Sequence, residues 1–89
     1  MKRILEIAKD HPAYEGHFPG RPLLPGVVLI AEAMAALDAR EWTVVSAKFL
    51  SPVEPGMPLA IESTMKESTI DFEIASPRGV VATGTLSKA

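Results

Sequence analysis

Cysteine is absent from this sequence. Its absence excludes a disulfide scaffold, a zinc–cysteine cluster and catalysis by a thiol, and it fits the cytosol. Basic runs are missing too: nothing exceeds the Lys2-Arg3 pair, and the net charge is −2. A general nucleic-acid binder carries a basic stripe, so nucleic acid is not an expected partner. Long apolar runs are also lacking. The stretch Val27 to Ala31 is interrupted by Glu32, far short of the ~18 residues of a membrane span. Met1 to Lys9 has no long apolar segment of the kind a secretory signal needs. What remains is an ordinary globular composition, 47% apolar and 22% charged, which argues against wholesale disorder. Eighty-nine residues suffice for one domain over 1–89 and not for two cores. So short and apolar a chain is expected to oligomerise, with part of its core at the interface.

Periodicity predicts an α+β domain. Residues 3–9 read as a short strand, with Leu5 and Ile7 alternating with Glu6 and Ala8. Residues 10–25 hold Pro12, Pro19, Pro22 and Pro25 together with Gly16 and Gly20, so neither a helix nor a central strand fits there. A structured loop of that length in so small a domain is uncommon unless it has a function. Gly26 to Ala39 reads as the one helix, with Pro25 at its start. Only Glu32 and Asp38 are charged along it, which predicts an enclosed helix rather than one lying on a surface. The rest reads as strands: 43–53, then Leu59 to Met65, Ile70 to Ala75 and Val80 to Ser87. Turns are expected at Glu54-Pro55-Gly56 and at Ser76-Pro77-Arg78-Gly79. Short connections between these strands suggest an antiparallel meander with the helix packed on it.

The proline-rich loop carries the functional signal. Residues 16–26 read Gly-His-Phe-Pro-Gly-Arg-Pro-Leu-Leu-Pro-Gly. Prolines and glycines at such density hold one side chain still, as catalysis requires. His17 is the side chain suited to proton transfer near neutral pH. Gly26 stands where a helix begins, so its amide lacks a partner and faces the positive end of the dipole. Such an amide can stabilise an oxyanion, and glycine permits close approach. His11 precedes Pro12 outside the string and reads as structural or solvent-facing. Two histidines and no cysteine make no metal site.

This string resembles the GHFPGxPxxPG signature of the hot-dog-fold 3-hydroxyacyl-[acyl carrier protein] dehydratases. Glu32-Ala33-Met34-Ala35 looks like that family's helix. Ala47-Lys48-Phe49, Pro52-Val53 and Pro55-Gly56 look like its next strand and turn, so the likeness covers residues 11–60. The resemblance implies a hot-dog fold, one central helix wrapped by an antiparallel sheet of about five strands. It implies dehydration of (3R)-hydroxyacyl groups carried on acyl carrier protein or coenzyme A in fatty acid or polyene biosynthesis. His17 and Glu32 are then the catalytic pair, and Phe18, Pro25, Gly26 and Val27 the substrate-binding residues. Elimination of water changes no oxidation state, so neither a cofactor nor a metal is implied. In the family, facing His and carboxylate come from different subunits, which implies a homodimer or higher oligomer. Docking of an acidic carrier would fall to Arg21, Lys48 and Lys66.

One departure touches the chemistry. The dehydratases carry their helix acid fourteen residues after the His, and here that position is Ala31, with Glu32 next. A single step turns a side chain by ~100° and raises it by ~1.5 Å. An irregular first turn would bring Glu32 into the site; a regular helix would put Ala31 there instead. Short hot-dog proteins of aryl-polyene and similar biosynthetic clusters resemble this chain in length and in lacking that acid. Two further readings stay open: a hot-dog thioesterase, and a non-catalytic module that binds an acyl chain.

Overall fold

The computed structural model describes residues 1–14 and 23–88. Its elements are β1 (Lys2–Leu5), a single 3-10 turn (Pro12–Tyr14), α1 (Gly26–Ala36), β2 (Thr43–Phe49), β3 (Leu59–Met65), β4 (Thr69–Ser76) and β5 (Gly79–Ser87). One helix lies on one five-stranded antiparallel sheet of order β1-β3-β4-β5-β2. This is the architecture expected from the sequence.

The inward face is made by alternation. Leu59 and Ile61 of β3, Ile70, Phe72 and Ile74 of β4, and Ala82 and Leu86 of β5 are all buried, together with Leu29, Ile30 and Ala33 of the helix. Glu62, Glu73 and Asp71 fall on the opposite face, as period-two patterning requires. In β5 the alternation breaks, because Val81 and Ala82 are both buried. A register shift opposite Ile74 and Ala75 inserts the extra residue.

Several expected boundaries and connections are corrected. The meander holds only for β3-β4-β5; β2 crosses to the far side of β5. The connection from Leu50 to Pro58 is long enough to make that crossing, and Pro52, Pro55 and Pro58 keep it from pairing in a ladder. Residue 49 ends β2 because Leu50 and Ser51 both turn their amides onto Val81 O, at 2.8 and 3.3 Å. The first strand stops at Leu5 rather than residue 9, since the chain then turns and His11 N–H bonds Ala8 O at 3.0 Å.

The helix stops at Ala36 rather than Ala39. Asp38 takes a left-handed φ of 56°. Ala39 N–H then reaches Met34 O at 2.8 Å and Asp38 N–H reaches Ala35 O at 3.1 Å. These two bonds make a Schellman cap, built on an aspartate where glycine is usual. Arg3 Nη1 adds a bond to Ala36 O at 3.1 Å, tying β1 to the helix end.

The helix is also less enclosed than its composition suggests. Val27 is 79% exposed and Ala31 is exposed beside it, one turn on. Within one chain the sheet covers a single stripe, so the remaining apolar face is left bare. The strand β2 continues that face. Its Val44, Ala47 and Phe49 pair with Leu86, Gly84 and Ala82 and so point to the core side, yet every residue of β2 is exposed.

Gly84 is where the sheet is tightest. A Cβ there would lie 2.5 Å from Phe72 Cζ and 2.9 Å from the backbone oxygen of Ser46. Neither can retreat, because Phe72 is buried and Ser46 O belongs to the neighbouring strand. Gly84→Ala is therefore expected to destabilise the fold by ~1–3 kcal/mol. At ~4–8 °C per kcal/mol for a domain of this size, a thermal scan will read it. A melting temperature unchanged to within a degree would contradict this packing.

Candidate active site

The site begins at the helix N-terminus. Pro25, with φ −59° and ψ 140°, precedes α1, and no side chain caps it. A Ser, Thr, Asp or Asn in its place would occupy one of the first amides; proline has nothing to offer them. Instead the Pro25 carbonyl accepts Val28 N–H at 3.0 Å and Leu29 N–H at 3.1 Å. Among the described residues, Gly26 N–H and Val27 N–H are left without partners. Two adjacent amides at the positive end of a helix can hold an oxygen on which negative charge develops. Pro25, Gly26 and Val27 thus lie together at the helix start.

A cleft of about 520 Å³ opens beside those amides, lined by Leu24, Gly26, Val27, Leu29, Phe49 and Val53 among others. Its wall is nearly all apolar. Phe49, the last residue of β2, lies on Gly26: a Cβ at position 26 would sit 2.7 Å from Phe49 Cζ. Glycine at the helix start therefore makes room for this ring. The sequence marks Phe49 only as part of a strand, since nothing in strand periodicity says which helix residue its ring will meet.

The ends of the signature loop are anchored. Tyr14 is 7% exposed and Leu24 8%, and Leu24 N–H bonds Val53 O at 2.9 Å. Burial pushes the Tyr14 phenol above its ordinary pKa, so it remains neutral. His17, Phe18 and Arg21 lie outside the described residues, and the His17–Glu32 separation lies outside with them.

Glu32 has a partner that the sequence reading did not assign. The helix is regular α from Gly26 to Ala36, without a bulge. The step from Ala31 to Glu32 therefore turns the carboxylate away from the exposed line of Val27 and Ala31. It meets His11: Nε2 lies 3.2 Å from Oε1, with the two side chains 26% and 34% exposed. His11 Nδ1 in turn accepts Ala13 N–H at 3.0 Å. A signal for this was available. A carboxylate in an otherwise apolar helix needs a partner, and His11 is the one histidine outside the signature string.

Of the cations considered for carrier docking, Lys48 is exposed on β2. Lys66 is engaged: its Nζ lies 2.8 Å from Asp71 Oδ2. That contact holds the Asp71 carboxyl below its ordinary pKa, with help from the Thr85 hydroxyl, and raises that of Lys66. Among the described residues, no helix is long and apolar enough to cross a membrane.

The model of the ApeI-like family, described as ApeI dehydratase, matches residues 1–85. The bifunctional enzyme LpxC/FabZ of Chlorobaculum tepidum is 36% identical over 77 residues, covering 70% of this chain and 16% of that protein. The 3-hydroxyacyl-[acyl-carrier-protein] dehydratase FabZ of Klebsiella pneumoniae subsp. pneumoniae is 38% identical over 56 residues, covering 63% of this chain. The chain spans only about a third of that relative's length, 34%. Among solved structures, the dehydratase heterocomplex ApeI:P from Xenorhabdus doucetiae superposes with a TM-score of 0.81 at 26% identity, over 97% of this chain and 83% of that one.

Proposed function

The chain belongs to the ApeI-like dehydratase family and has its hot-dog fold, and from this premise we propose that it removes water from (3R)-3-hydroxyacyl thioesters. One observation carries the reading: the amides of Gly26 and Val27, without partners among the described residues and beside an apolar cleft, stand at the end of the Gly16-to-Gly26 string. The thioester oxygen is held by those amides, with the acyl chain along Phe49 and Leu29. His17 takes the α-proton, and its electron pair forms the Cα=Cβ bond. The Cβ–O bond breaks, and the leaving hydroxyl takes a proton from a water held where the regular helix presents Ala31, to depart as water; Glu32 serves instead only if it leaves His11. No electrons leave the substrate, so the step requires no cofactor. Phe18 and Pro25 complete the substrate contacts, and the acyl group arrives on acyl carrier protein or coenzyme A in the cytoplasm.

The functional unit in this reading is a dimer. The bare face of Val27 and Ala31 runs on to the exposed Val44 and Phe49 and to the open edge of β2. Pairing of two β2 edges covers all of it and removes the aggregation hazard of an unpaired strand. Because the solved relative is a heterocomplex, a related hot-dog subunit is the second reading for the occupant of that edge.

Mass analysis of 3-hydroxyacyl-carrier thioesters of several chain lengths tests the activity. The expected product is the enoyl thioester; free thiol would indicate a thioesterase, and binding without turnover a non-catalytic module. Gly26→Ala tests the site. The Phe49 ring is half exposed and can swing aside, so the fold should lose no more than ~1 kcal/mol, offset by alanine's better helix propensity. The displaced ring and the crowded amides should lower turnover by about ten- to a hundredfold. Wild-type kcat/KM in this variant would remove the cleft from consideration.

A further inference from the structure

We propose that Phe49 is the positioning residue for the Gly26 and Val27 amides: the tip of its ring pins the glycine that joins them. The inference rests on the dehydratase reading above, in which those amides hold the thioester oxygen. A Cβ on Gly26 would lie 2.7 Å from Phe49 Cζ, 2.8 Å from Cε1 and 3.1 Å from Cε2. Those are the three outermost ring atoms, so the ring stands end-on against the Cα of Gly26. That Cα is bonded directly to the Gly26 nitrogen and, through one carbonyl carbon, to the nitrogen of Val27. Rotation about its two backbone bonds re-aims one amide against the other, and glycine resists such rotation less than any other residue. Pro25 offers no side-chain cap that would restrain it.

The ring has a firm base. Phe49 pairs with Ala82, which is buried, and directly after it the Leu50 and Ser51 amides both bond Val81 O. Further along the same segment, Val53 O accepts Leu24 N–H at 2.9 Å, and Val53 is buried. Residues 49–53 therefore clamp the helix entry at two points, by a hydrogen bond at Leu24 and by the ring at Gly26. The hydrogen bond lies before Pro25, whose own ring already limits φ. The aromatic contact is the one that reaches the residue joining the two amides. An oxyanion site depends on donors that are aimed before the reaction, because re-aiming them during it would raise the barrier. Phe49 supplies that aim without a polar atom and acts through the amides, while its exposed side borders the acyl chain.

Reach separates two apolar variants. Phe49→Leu is too short to touch Gly26, whereas Phe49→Met is long enough and fills irregular gaps. Phe49→Leu is expected to lower kcat by about ten- to a hundredfold with KM little changed, because misplacing a reacting group by ~1 Å costs on the order of 10² in rate. Met should recover much of that loss. The factor should be the same for short and long acyl chains, since every substrate carries the same thioester oxygen. A ring that served only as a wall for the chain would instead give a loss that sits in KM and grows with chain length. In a Phe49→Leu background, Gly26→Ala should add less than about threefold, because the new Cβ no longer meets the ring tip. Equal rates for Leu and Met, a loss that grows with chain length, or fully additive losses would overturn the proposal. Nitrogen NMR relaxation reads the hold without turnover: order parameters of the Gly26 and Val27 amides should fall in Phe49→Leu and return in Phe49→Met, with β3 and β4 unchanged. If wild type turns over no thioester while the amides loosen as expected, the dehydratase reading fails and the hold stands. Amides as ordered in Phe49→Leu as in wild type overturn the hold whatever the activity.

Discussion

His17→Ala is expected to lower dehydration of 3-hydroxyacyl thioesters by ~10²–10⁴-fold, the usual contribution of a positioned general base. Turnover is the quantity to measure, with a thermal scan as control. The expectation has three supports. The Gly16-to-Gly26 string surrounds one imidazole with residues that restrict the backbone. The loop is held at both ends by buried Tyr14 and Leu24. The amides that would stabilise the enolate oxygen open immediately after it, at Gly26 and Val27. With only the base removed, the melting temperature should stay close to wild type. Wild-type turnover in His17→Ala would dismiss the site assignment.

The second large effect concerns assembly. Val45 is 61% exposed in one chain, at the β-bulge of a strand paired only with β5 among the described residues. A Val45→Lys change should leave the isolated chain's stability within about 0.5 kcal/mol, as exposed substitutions usually do. At a closed β2–β2 interface the same lysine would be buried without a partner, which costs several kcal/mol. Each ~1.4 kcal/mol is tenfold in affinity, so dissociation should strengthen by about 10² or more. Sedimentation should then show a 9.5 kDa species, and, if the site is shared between subunits as proposed, activity should fall in step. If Val45→Lys sediments like wild type, the open edge of β2 is not the interface. If wild type alone is already a monomer, the edge awaits a different subunit.

Much of this protein could be read directly from residue order. Period-two alternation marked Ile70, Phe72 and Ile74 as an inward face because a strand's side chains alternate whatever it pairs with. Pro25 followed by an Ala, Val and Leu run marked the helix start, because proline presets φ and costs nothing where the amide is unpaired. Gly56, with φ 78°, fell at the turn where it was expected, since only local backbone geometry is involved. The signature string pointed to the helix N-terminus for the same local reason. Tertiary structure decided the rest. The place of β2 beside β5 depends on which edge remains open after β3, β4 and β5 have paired, and no local pattern encodes that. The helix end at Ala36 depended on Asp38 adopting a conformation that glycine adopts more readily, so its signal was weak. The exposed helix face follows from how much one sheet can cover. Most of all, the partner of Glu32 was a matter of three-dimensional approach. The sequence implied that a carboxylate among apolar residues needed a donor, but only the packing of the loop after β1 against α1 brought His11 to it, because hydrogen bonds act over about 3 Å and not over positions in a chain.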